Sequence, residues 1–582
     1  MIKKLQFGLI AFLAAAGPAV SQQYSAEPGS GFSAATPSAA LFGLRGDDST
    51  DNSAAFALAQ GYADTYGAVI QFPPGIYRTS TGIILKGAGG FRGSSAGMAY
   101  DSQNAGPAGA SHGTVIRFTG TTGDTITIAP TARNAVVRDI GFWPVLFKTS
   151  GFEVVDRGSN TVLENLNAAY TYGCFSFQAG SNSSTASHLR CFAPWGPAAI
   201  KIQGATSALA DWAQAIILRD ISVYSPWSGA EPHHAIVKGT WKASTIYAVG
   251  DVVTANGYVW QAVAGGKSHN AGSGPIIPAY RYAGQATDTV GRVADGEELR
   301  WRMIQSSALA CINVDSNAVD IVIREAQLLT CYTGLSITNS LGSGIGPQYV
   351  KLVDSLIDHT VSHGVDLQSG YQIILRDTDL HLSATGRGLH SADGAVFTAS
   401  VSGQTMSVTA VVSGALAIGQ FVSGPNVNAV ITAFGSGRGS IGTYLLSSAQ
   451  TSGGTKLIAA GPLGGLTVQG GHIWSNALDG IKPPPIAGAN TIISGVRIAG
   501  NSVASPNTYD GIAIADGTTG ISICNNVIGP DRGGGGIQRY AISIAATASQ
   551  FNLACGNIMV GNGLGDVLNF AGTGVERRGS GQ

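Results

Sequence analysis

Residues 41–77 read LFGLRGDDSTDNSAAFALAQGYADTYGAVIQFPPGIY and carry the clearest structural signals of the chain. The run GDDSTDN consists of short polar residues, whose side chains bond to nearby backbone and favour turns and helix caps. A helical spacing of apolar residues follows, with Asp51 or Ser53 as its candidate cap and Gly67 as its end. Residues 68–72 then predict a strand, because they are largely apolar and stop at a Pro-Pro-Gly turn.

A loose unit recurs from about Thr125 to Phe570. Each copy is a short alternating strand with a β-branched pair, followed by a polar turn; examples occupy residues 135–140, 161–166, 215–221, 320–326, 349–355, 373–378, 491–496, 520–525 and 551–556. The period is roughly 20–30 residues where no insertion intervenes, which is typical of solenoids. The period-2 alternation excludes a helical solenoid. The repeat therefore predicts a parallel β-helix, whose coils pair at about 4.8 Å around one stacked core.

The opening segment also resembles a known family. Its order of turn, helix and strand, continued by Ile83-Ile84-Leu85-Lys86-Gly87 and Phe91-Arg92-Gly93, resembles the N-terminal capping segment of the pectate-lyase-like, right-handed parallel β-helix superfamily, which includes many phage tailspike depolymerases. The resemblance implies an all-β fold: a right-handed parallel β-helix with an N-terminal capping helix. It also implies a polysaccharide substrate and, from the tailspike relatives, a homotrimer.

Two segments interrupt the repeat and predict small all-β insertions. The first, residues 239–305, has the order W…Y..GD.V…G..W…W, which is similar to small chitin-binding-type carbohydrate modules. Exposed aromatic faces suit sugar rings, and the candidate platforms are Trp241, Tyr258, Trp260 and Trp301. The alternative is that these aromatics form the core of so small a module. The second segment, residues 396–460, has almost no titratable groups, which favours a spacer or an oligomer contact.

The N-terminus predicts a secreted protein, extracellular or periplasmic. Lys3-Lys4 is a basic start, residues 5–17 are mostly apolar, and Ala19-Val20-Ser21 is a small-residue cleavage site. No other run is long and apolar enough to span a bilayer. The predicted division of the chain is a signal peptide at 1–21, a linker at 22–40, the cap and first coils at 41–238, the first insertion at 239–305, central coils with the candidate active site at 306–395, the second insertion at 396–460, C-terminal coils at 461–572 and a disordered tail at 573–582.

Composition limits the partners of the chain. A formal net charge of −1, with 12% charged residues, gives no electrostatic case for nucleic acid or an anionic membrane. The six cysteines fit an oxidising compartment, and they fall as Cys174/Cys191, Cys311/Cys331 and Cys524/Cys555. Each spacing is close to one repeat, so disulfides between stacked turns are one interpretation. Six buried thiols that act as small apolar fillers are the other.

Titratable groups concentrate in a few neighbouring repeats. An acid recurs at nearly the same place in many copies: Asp139, Glu164, Asp220, Glu325, Asp354 and Asp377. Nine acids fall within 80 residues: Asp315, Asp320, Glu325, Asp354, Asp358, Asp366, Asp377, Asp379 and Asp393. Four of the ten histidines join them: His359, His363, His381 and His390. The clustering favours a site on one outer face of the coil, although Asp is also an ordinary turn former at strand ends.

Glycoside cleavage needs a proton donor with a raised pKa and a second carboxylate as base or nucleophile. We expect this pair among Asp354, Asp377 and Asp379, with Glu325 and Asp358 as substitutes. On one strand, Asp377 and Asp379 would share a face about 7 Å apart at Cα. Candidates for substrate contacts are His381, His359 and Arg376.

The leading prediction is a cofactor-free glycoside hydrolase that cuts an exopolysaccharide or pectin-like glycan. A polysaccharide lyase is the first alternative; Ca²⁺ could then assist, held by Asp354, Asp358 and Asp377. The second is a non-catalytic, tailspike-like glycan-binding adhesin, and the third a purely structural solenoid. His472 follows two glycines as in the Gly-His-Gly of polygalacturonases, but the final Gly is missing and no Asn-Thr-Asp or Arg-Ile-Lys partner occurs in the expected order.

Overall fold

The repeated strands stack as parallel ladders in a computed structural model of the chain. The structure describes residues 36–96, 113–146, 148–205, 211–225, 237–270, 272, 274–275, 292–294, 299–341, 346–391, 395–413, 416, 420–424, 426–460, 463–483, 491–515, 518–530, 537–546, 548–553 and 555–571. The predicted signal peptide, most of the predicted linker, Asp393 and the predicted tail lie outside these residues. Within these residues, two parallel sheets of 23 and 13 strands form a right-handed parallel β-helix, which confirms the predicted fold class.

The larger sheet covers two faces of the coil, because the chain bends within it. From Ala318 onward, each coil gives this sheet one longer strand and then one short strand. The short strands define what we call the short-strand face: Gln327–Leu329, Leu356–Asp358, Asp379–His381, His472–Trp474, Arg497–Ala499, Val527–Gly529 and Ile558–Met559. The remaining strands of this sheet are Asp47–Asp51, Val69–Gln71, Gly75–Thr79, Gly90–Arg92, Thr114–Phe118, Val136–Phe142, Val162–Ala169, Thr185–Phe192, Ala213–Tyr224, Ala318–Arg324, Gln348–Val353, Gly370–Arg376, Leu463–Gln469, Thr491–Ser494, Thr519–Cys524 and Ser549–Asn552.

The smaller sheet forms the third face. Its strands are Ile83–Leu85, Ile126–Ile128, Phe152–Asp156, Gly173–Gln178, Ala198–Gln203, Ala310–Val314, Thr333–Ile337, Val365–Leu367, Leu389–Ser391, Ile481–Lys482, Ile512–Ile514, Tyr540–Ile544 and Gly565–Asn569. Inward residues of all three faces belong to one continuous apolar cluster that extends from Ala39 to Leu553. The coil therefore has one stacked core, as the period-2 alternation predicts.

The bend between the longer and short strands is one residue in the left-handed conformation. It recurs at the same register on successive coils, with φ between 50° and 76°: Asp139, Asn165, His188, Asp220, Glu325, Asp354, Asp377, Gly470, Gly495, Asn525 and Gly556. Glycine takes this conformation without a Cβ clash, and Asn and Asp tolerate it best among the others. The recurring acids of the sequence are therefore largely bend residues, while Glu164 lies one position before the bend.

The N-terminal segment covers the first coil, as expected from its pattern. The helix Ser53–Tyr66 follows the short 3₁₀ helix Ala39–Phe42 and ends at Gly67, where φ is 61°. Its buried residue Phe56 stacks 5.8 Å from Phe72 of the first coil. An apolar end of the core is thereby removed from solvent.

Two details of the opening segment differ from the prediction. Residues Asp47–Asp51 form a strand that pairs with Gly75–Thr79, because a parallel partner is available to a chain that would otherwise turn. The N-cap of the helix is Asn52, whose side chain bonds to Arg45 and not to the helix. Asp51 instead accepts the backbone N–H of the first helical residue.

All six cysteines form disulfides. The bonds join Cys174 to Cys191, Cys311 to Cys331 and Cys524 to Cys555, with Cα–Cα distances of 6.0, 5.6 and 4.8 Å. Only the third joins neighbouring residues of adjacent coils, next to the bend column. The interpretation of the cysteines as disulfide pairs is thus the one that the structure supports.

The first interruption of the coil, between Tyr224 and Ala310, is a module whose strands are antiparallel except for one parallel pair. Its strands are Val237–Thr240, Ile246–Tyr247, Val252–Ala255, Tyr258–Ala264, Gly266–Lys267, Arg292–Ala294 and Arg300–Ser306. Val252 and Val259 pack against Val361 of the coil. The module is therefore in contact with the turn that follows the short strand Leu356–Asp358.

Most of the predicted sugar platforms of this module are core residues, which corrects that prediction. Trp260 and Trp301 are fully buried, and Trp241 is only 8% exposed. Trp260 donates its indole N–H to the carbonyl of Ala255. A buried ring has no face open to a sugar, so the small module uses these residues to build its interior. Tyr258 is half-buried and packs against the same cluster.

The second interruption is a four-stranded antiparallel sheet with its own small apolar core. Its strands are Ala395–Ser413, Phe421–Gly424, Val427–Phe434 and Gly442–Ala460. It lies in the chain between the strands Leu389–Ser391 and Leu463–Gln469 of the coil. The coil resumes after it in register, because Gly370–Arg376 pairs directly with Leu463–Gln469.

Candidate functional site

The short-strand face presents two columns of outward side chains. The middle residue of each short strand is buried: Leu328, Ile357, Leu380, Ile473, Ile498 and Ile528. The column next to the bend contains Gln327, Leu356, Asp379, His472, Arg497 and Val527. The far column contains Leu329, Asp358, His381, Trp474, Ala499 and Gly529. Polar groups capable of chemistry thus meet on four consecutive coils of this face.

A cleft of about 360 Å³ opens on these coils. Its lining residues are His381, His472, Trp474, Arg497 and Ala499. The His381 ring meets the Trp474 ring edge-on at 4.6 Å between centroids. The volume lies within the range of small-ligand sites, which combine an apolar wall with a few polar groups.

Two carboxyl groups are ladder neighbours of His381, a lining residue of this cleft. Asp358 and Asp379 occupy adjacent coils and opposite columns, because Asp358 pairs with His381 and Leu356 with Asp379. Adjacent coils are about 4.8 Å apart and residues two apart on a strand about 6.8 Å, so this diagonal spans roughly 8 Å at Cα. Asp379 accepts the backbone N–H of His472 at 2.8 Å. The side chains of Asp358 and Asp379 are 21% and 40% exposed.

Two histidines flank Asp358. His359 Nδ1 lies 2.8 Å from Asp358 Oδ1. Oδ1 is buried and accepts no hydrogen bond within the described residues. The Nε2 atom of His381 is likewise buried and makes no hydrogen bond there. Burial lowers the pKa of His381, although the carboxylates of Asp358 and Asp379 oppose that shift. A pKa below its usual value leaves the imidazole of His381 mainly neutral at pH 7.

Three of the predicted catalytic acids lie apart from this site. Glu325, Asp354 and Asp377 are consecutive members of the bend column, and all three are exposed. Glu325 pairs with Arg219 at 3.2 Å, and Asp377 lies 3.8 Å from Arg376. These contacts match the alternative interpretation of the column as turn formers with neighbouring opposite charges.

The expected arrangement of Asp377 and Asp379 on one strand is wrong. The longer strand ends at Arg376 and the short strand begins at Asp379, with the left-handed Asp377 between them. Asp379 and His381 do share one outward face, on either side of the buried Leu380. Arg376 lies on the other side of the bend, with its side chain 50% exposed, and does not line the cleft.

Sequence reasoning missed Trp474 and Arg497. The second insertion separates His381 from Trp474 by 93 positions, although the two are neighbours in the ladder. One signal could have found them: Trp474 and Arg497 each belong to a triplet of outward, buried and outward residues that comes shortly after a bend. Aligning the bends at Asp377, Gly470 and Gly495 brings these triplets into register.

The calcium site considered for a lyase does not assemble. Asp354 and Asp377 stand in the bend column, whereas Asp358 stands at the far end of a short strand. Within the described residues, no group of three His, Cys, Asp or Glu side chains is arranged to hold a metal ion.

A second titratable cluster lies on the third face. His363 and His390 stack at 4.2 Å between ring centroids, and His390 Nδ1 lies 2.7 Å from Asp366 Oδ1. His363 Nδ1 accepts the backbone N–H of Arg387, whose side chain pairs with Asp479 at 2.8 Å. Burial, then His390, lowers the pKa of His363 to about 4. The cluster is well partnered and half-buried, which is typical of a structural role.

Comparison with known proteins adds the following. No family model and no curated protein matches the chain. Among solved structures, the Dettilon tailspike protein covers 91% of this chain and 68% of its own, at 9% identity and a TM-score of 0.43. The Agl-KA catalytic domain covers 92% of this chain, is itself covered to 68%, and has 10% identity and a TM-score of 0.41. The mannuronan C-5 epimerase AlgE6 A-module of Azotobacter vinelandii covers 92% of this chain, is itself covered to 99%, and has 11% identity and a TM-score of 0.31.

The class of protein is defined by its own strand ladders: it is a parallel β-helix protein with two inserted modules. The likeness of the first insertion to chitin-binding-type modules stays a prediction. None of the helices in the described residues has the length and apolarity to cross a membrane.

Proposed function

We propose that this chain cleaves a polysaccharide by hydrolysis on the short-strand face, with Asp358 and Asp379 as the carboxyl pair. The observation that carries the proposal is their diagonal placement beside the cleft. Both side chains point outward from the same face, so a Cα separation of roughly 8 Å puts their carboxyl groups at a similar spacing. Inverting glycosidases hold their two carboxyl groups about 6.5–9.5 Å apart, which admits a water molecule. One carboxyl group protonates the leaving oxygen while the other activates the water.

The neighbouring side chains supply substrate contacts. Trp474 offers an aromatic wall, which favours the apolar face of a sugar ring. His381 is neutral and lies between the two acids in the ladder, where it donates to or accepts from a sugar hydroxyl. An elongated glycan lying along the coil axis would contact several of the four coils at once.

The experiment is a screen of exopolysaccharides with mass spectrometry of the products, followed by substitution. We expect Asp358→Asn and Asp379→Asn to lower kcat by about 10²–10⁴ each, the range of general acid–base catalysis. The matched controls are Asp354→Asn and Asp377→Asn, exposed acids on the same coils. Full activity of both site variants, or an equal loss in the controls, contradicts the assignment. Inverted anomeric configuration of the product, read by NMR, supports the inverting geometry.

β-Elimination is the second candidate, and one observation favours it. The neutral imidazole of His381 and the guanidinium of Arg497 line the same cleft, so one bound glycan could contact both a proton acceptor and a cation. A lyase product contains an unsaturated sugar that absorbs near the ultraviolet edge, whereas a hydrolase product does not. Glycan binding without product, unaffected by changes at Asp358 and Asp379, would instead favour an adhesin.

Secretion and assembly belong to the same proposal. Residues 1–21 are proposed to direct export, and the active protein is proposed to be a homotrimer outside the cytoplasm. Mass determination of the mature N-terminus and light scattering of the purified protein test these two points independently of activity.

A further inference from the structure

A cationic group lies in the cleft on the side away from the two acids. Arg497 stands two coils beyond Asp379 in the same outward column, with His472 between them. At about 4.8 Å per coil, Arg497 Cα is roughly 10 Å from Asp379 Cα. The five residues that line the cleft include no carboxylate. Along this outward column the charged side chain therefore changes from the carboxylate of Asp379 to the guanidinium of Arg497, and only the guanidinium lines the cleft.

The groups around Arg497 suit one kind of ligand. A guanidinium presents five N–H donors in a planar fork that matches a carboxylate, and it can engage one while it keeps other contacts. Trp474 is on the preceding coil and gives the ring of the same sugar an aromatic face. Ala499 shares the strand of Arg497 and leaves room beside it, because its side chain is one methyl group.

From this placement we infer that the cleft binds an acidic sugar residue, with its carboxylate on Arg497 and its ring on Trp474. The inference rests on the proposed function, because it fixes the substrate next to Asp358 and Asp379. A sugar carboxylate at Arg497 is held away from those two acids, where like charges would repel it. A neutral glycan lacks the charge that pairs with the guanidinium, so it binds more weakly.

Binding without turnover tests the inference. The probe is an acidic exopolysaccharide oligomer, and its matched form has every carboxyl group reduced to an alcohol; both are titrated into the Asp379→Asn protein. We expect carboxyl reduction to weaken binding at least tenfold. We expect Arg497→Met to weaken binding of the acidic oligomer by the same factor as carboxyl reduction does. The Arg497→Met protein should then bind the acidic and the reduced oligomer with the same affinity. Arg324→Met, an exposed arginine on a longer strand, should still discriminate between them.

Several outcomes would overturn the inference: equal binding of both oligomers, or undiminished discrimination in Arg497→Met. If the wild-type protein cleaves both oligomers at the same rate, the proposed function is supported and the inference is contradicted. If discrimination between the two oligomers depends on Arg497 but no glycan gives a product, the inference is supported and the proposed function is contradicted. The carboxylate of an acidic exopolysaccharide belongs either to a uronic acid ring or to a pyruvate ketal attached to a sugar, and mild acid treatment of the oligomer removes only the ketal. Binding that survives this treatment assigns the carboxylate to the sugar ring. Binding that is lost assigns it to a ketal.

Discussion

At the scale of single residues, position in the coil decides what an acid does. Asp354 and Asp358 are four residues apart, yet one is a left-handed bend and the other an outward strand residue beside the cleft. The bend residue owes its identity to backbone conformation, because a short polar side chain tolerates positive φ. The strand residue has no such constraint, so its carboxyl group requires another explanation, which the cleft provides.

Trp474 is the residue whose loss should affect binding most simply. We expect Trp474→Ala to raise KM about tenfold, roughly 1.4 kcal/mol, with a small change in kcat, because a stacked ring contributes to binding and not to proton transfer. Steady-state kinetics on the screened substrate measure this. Tyr349→Ala is the control, since Tyr349 is 38% exposed outside the cleft. An unchanged KM in Trp474→Ala would exclude the aromatic wall from the binding site.

His363 should make stability depend on pH. Its pKa is lowered from 6.5 to about 4 by burial and by His390, Arg387 and Lys482, while Asp366 opposes the shift. The unfolded chain takes up this proton below pH 6.5 and the folded chain only below about 4. Above pH 6.5 His363 is neutral in both the folded and the unfolded chain, so it costs the folded state no stability there. The stability of the folded state falls as pH drops toward 4, by up to about 1.4 kcal/mol per unit.

Urea unfolding between pH 4.5 and 7 tests this dependence. We expect His363→Gln, which keeps an acceptor for the Arg387 N–H, to flatten the decline of the unfolding free energy. His188→Gln alters an imidazole that is 57% exposed and should leave the slope as in the wild type. Identical slopes for all three proteins would show that other groups carry the pH dependence.

At the scale of the element, each coil from Ala318 onward gives the larger sheet a longer strand and a short strand, joined by a bend with one left-handed residue. The strand that follows belongs to the smaller sheet. The bend aims the outward residues of the short strand, so its conformation sets the direction of Asp358 and Asp379. Register passes through the second insertion unchanged, because Asp377 and Gly470 occupy adjacent bends. A module of about 65 residues is thus added to the chain without a break in the face that carries the site.

The bend conformation predicts unequal effects for two substitutions of Asp354, where φ is 50°. Asp354→Val should lower the free energy of unfolding by about 1–2 kcal/mol, because a β-branched side chain clashes in the left-handed region. Asp354→Gly should remain close to the wild type, as the natural Gly470 and Gly495 do in the same column. Chemical denaturation measures both. A loss in Asp354→Gly equal to that in Asp354→Val would mean that the carboxylate, not the backbone, matters here.

At the scale of the whole molecule, stability comes from one long core with weak ends. The helix Ser53–Tyr66 covers the first end. Near the other end, the bond between Cys524 and Cys555 joins two of the last coils. A solenoid coil contacts only its neighbours, so the last coils have less support than the central ones.

This placement predicts unequal effects of removing the disulfides. The double variant Cys524→Ser/Cys555→Ser should lose about 4 kcal/mol, and Cys174→Ser/Cys191→Ser about 3 kcal/mol, from loop closure over 31 and 17 residues. Proteolysis of the first variant should begin in the C-terminal coils. Thermal denaturation with and without reductant gives the comparison. Equal Tm values for both variants and the wild type would contradict a stabilising role.

Local sequence patterns were sufficient to predict the parallel β-helix, the capping helix and the candidate cysteine pairs. These features depend on local periodicity, caps and spacing, which are written along the chain. The roles of Trp260 and Trp301 as core residues, and of Asp354 and Asp377 as bends, became visible only in the folded chain. The tertiary structure also placed Asp358, Asp379, Trp474 and Arg497 on one face. The physical reason is register: side chains meet across coils, and the chain between two neighbours can hold an entire inserted domain.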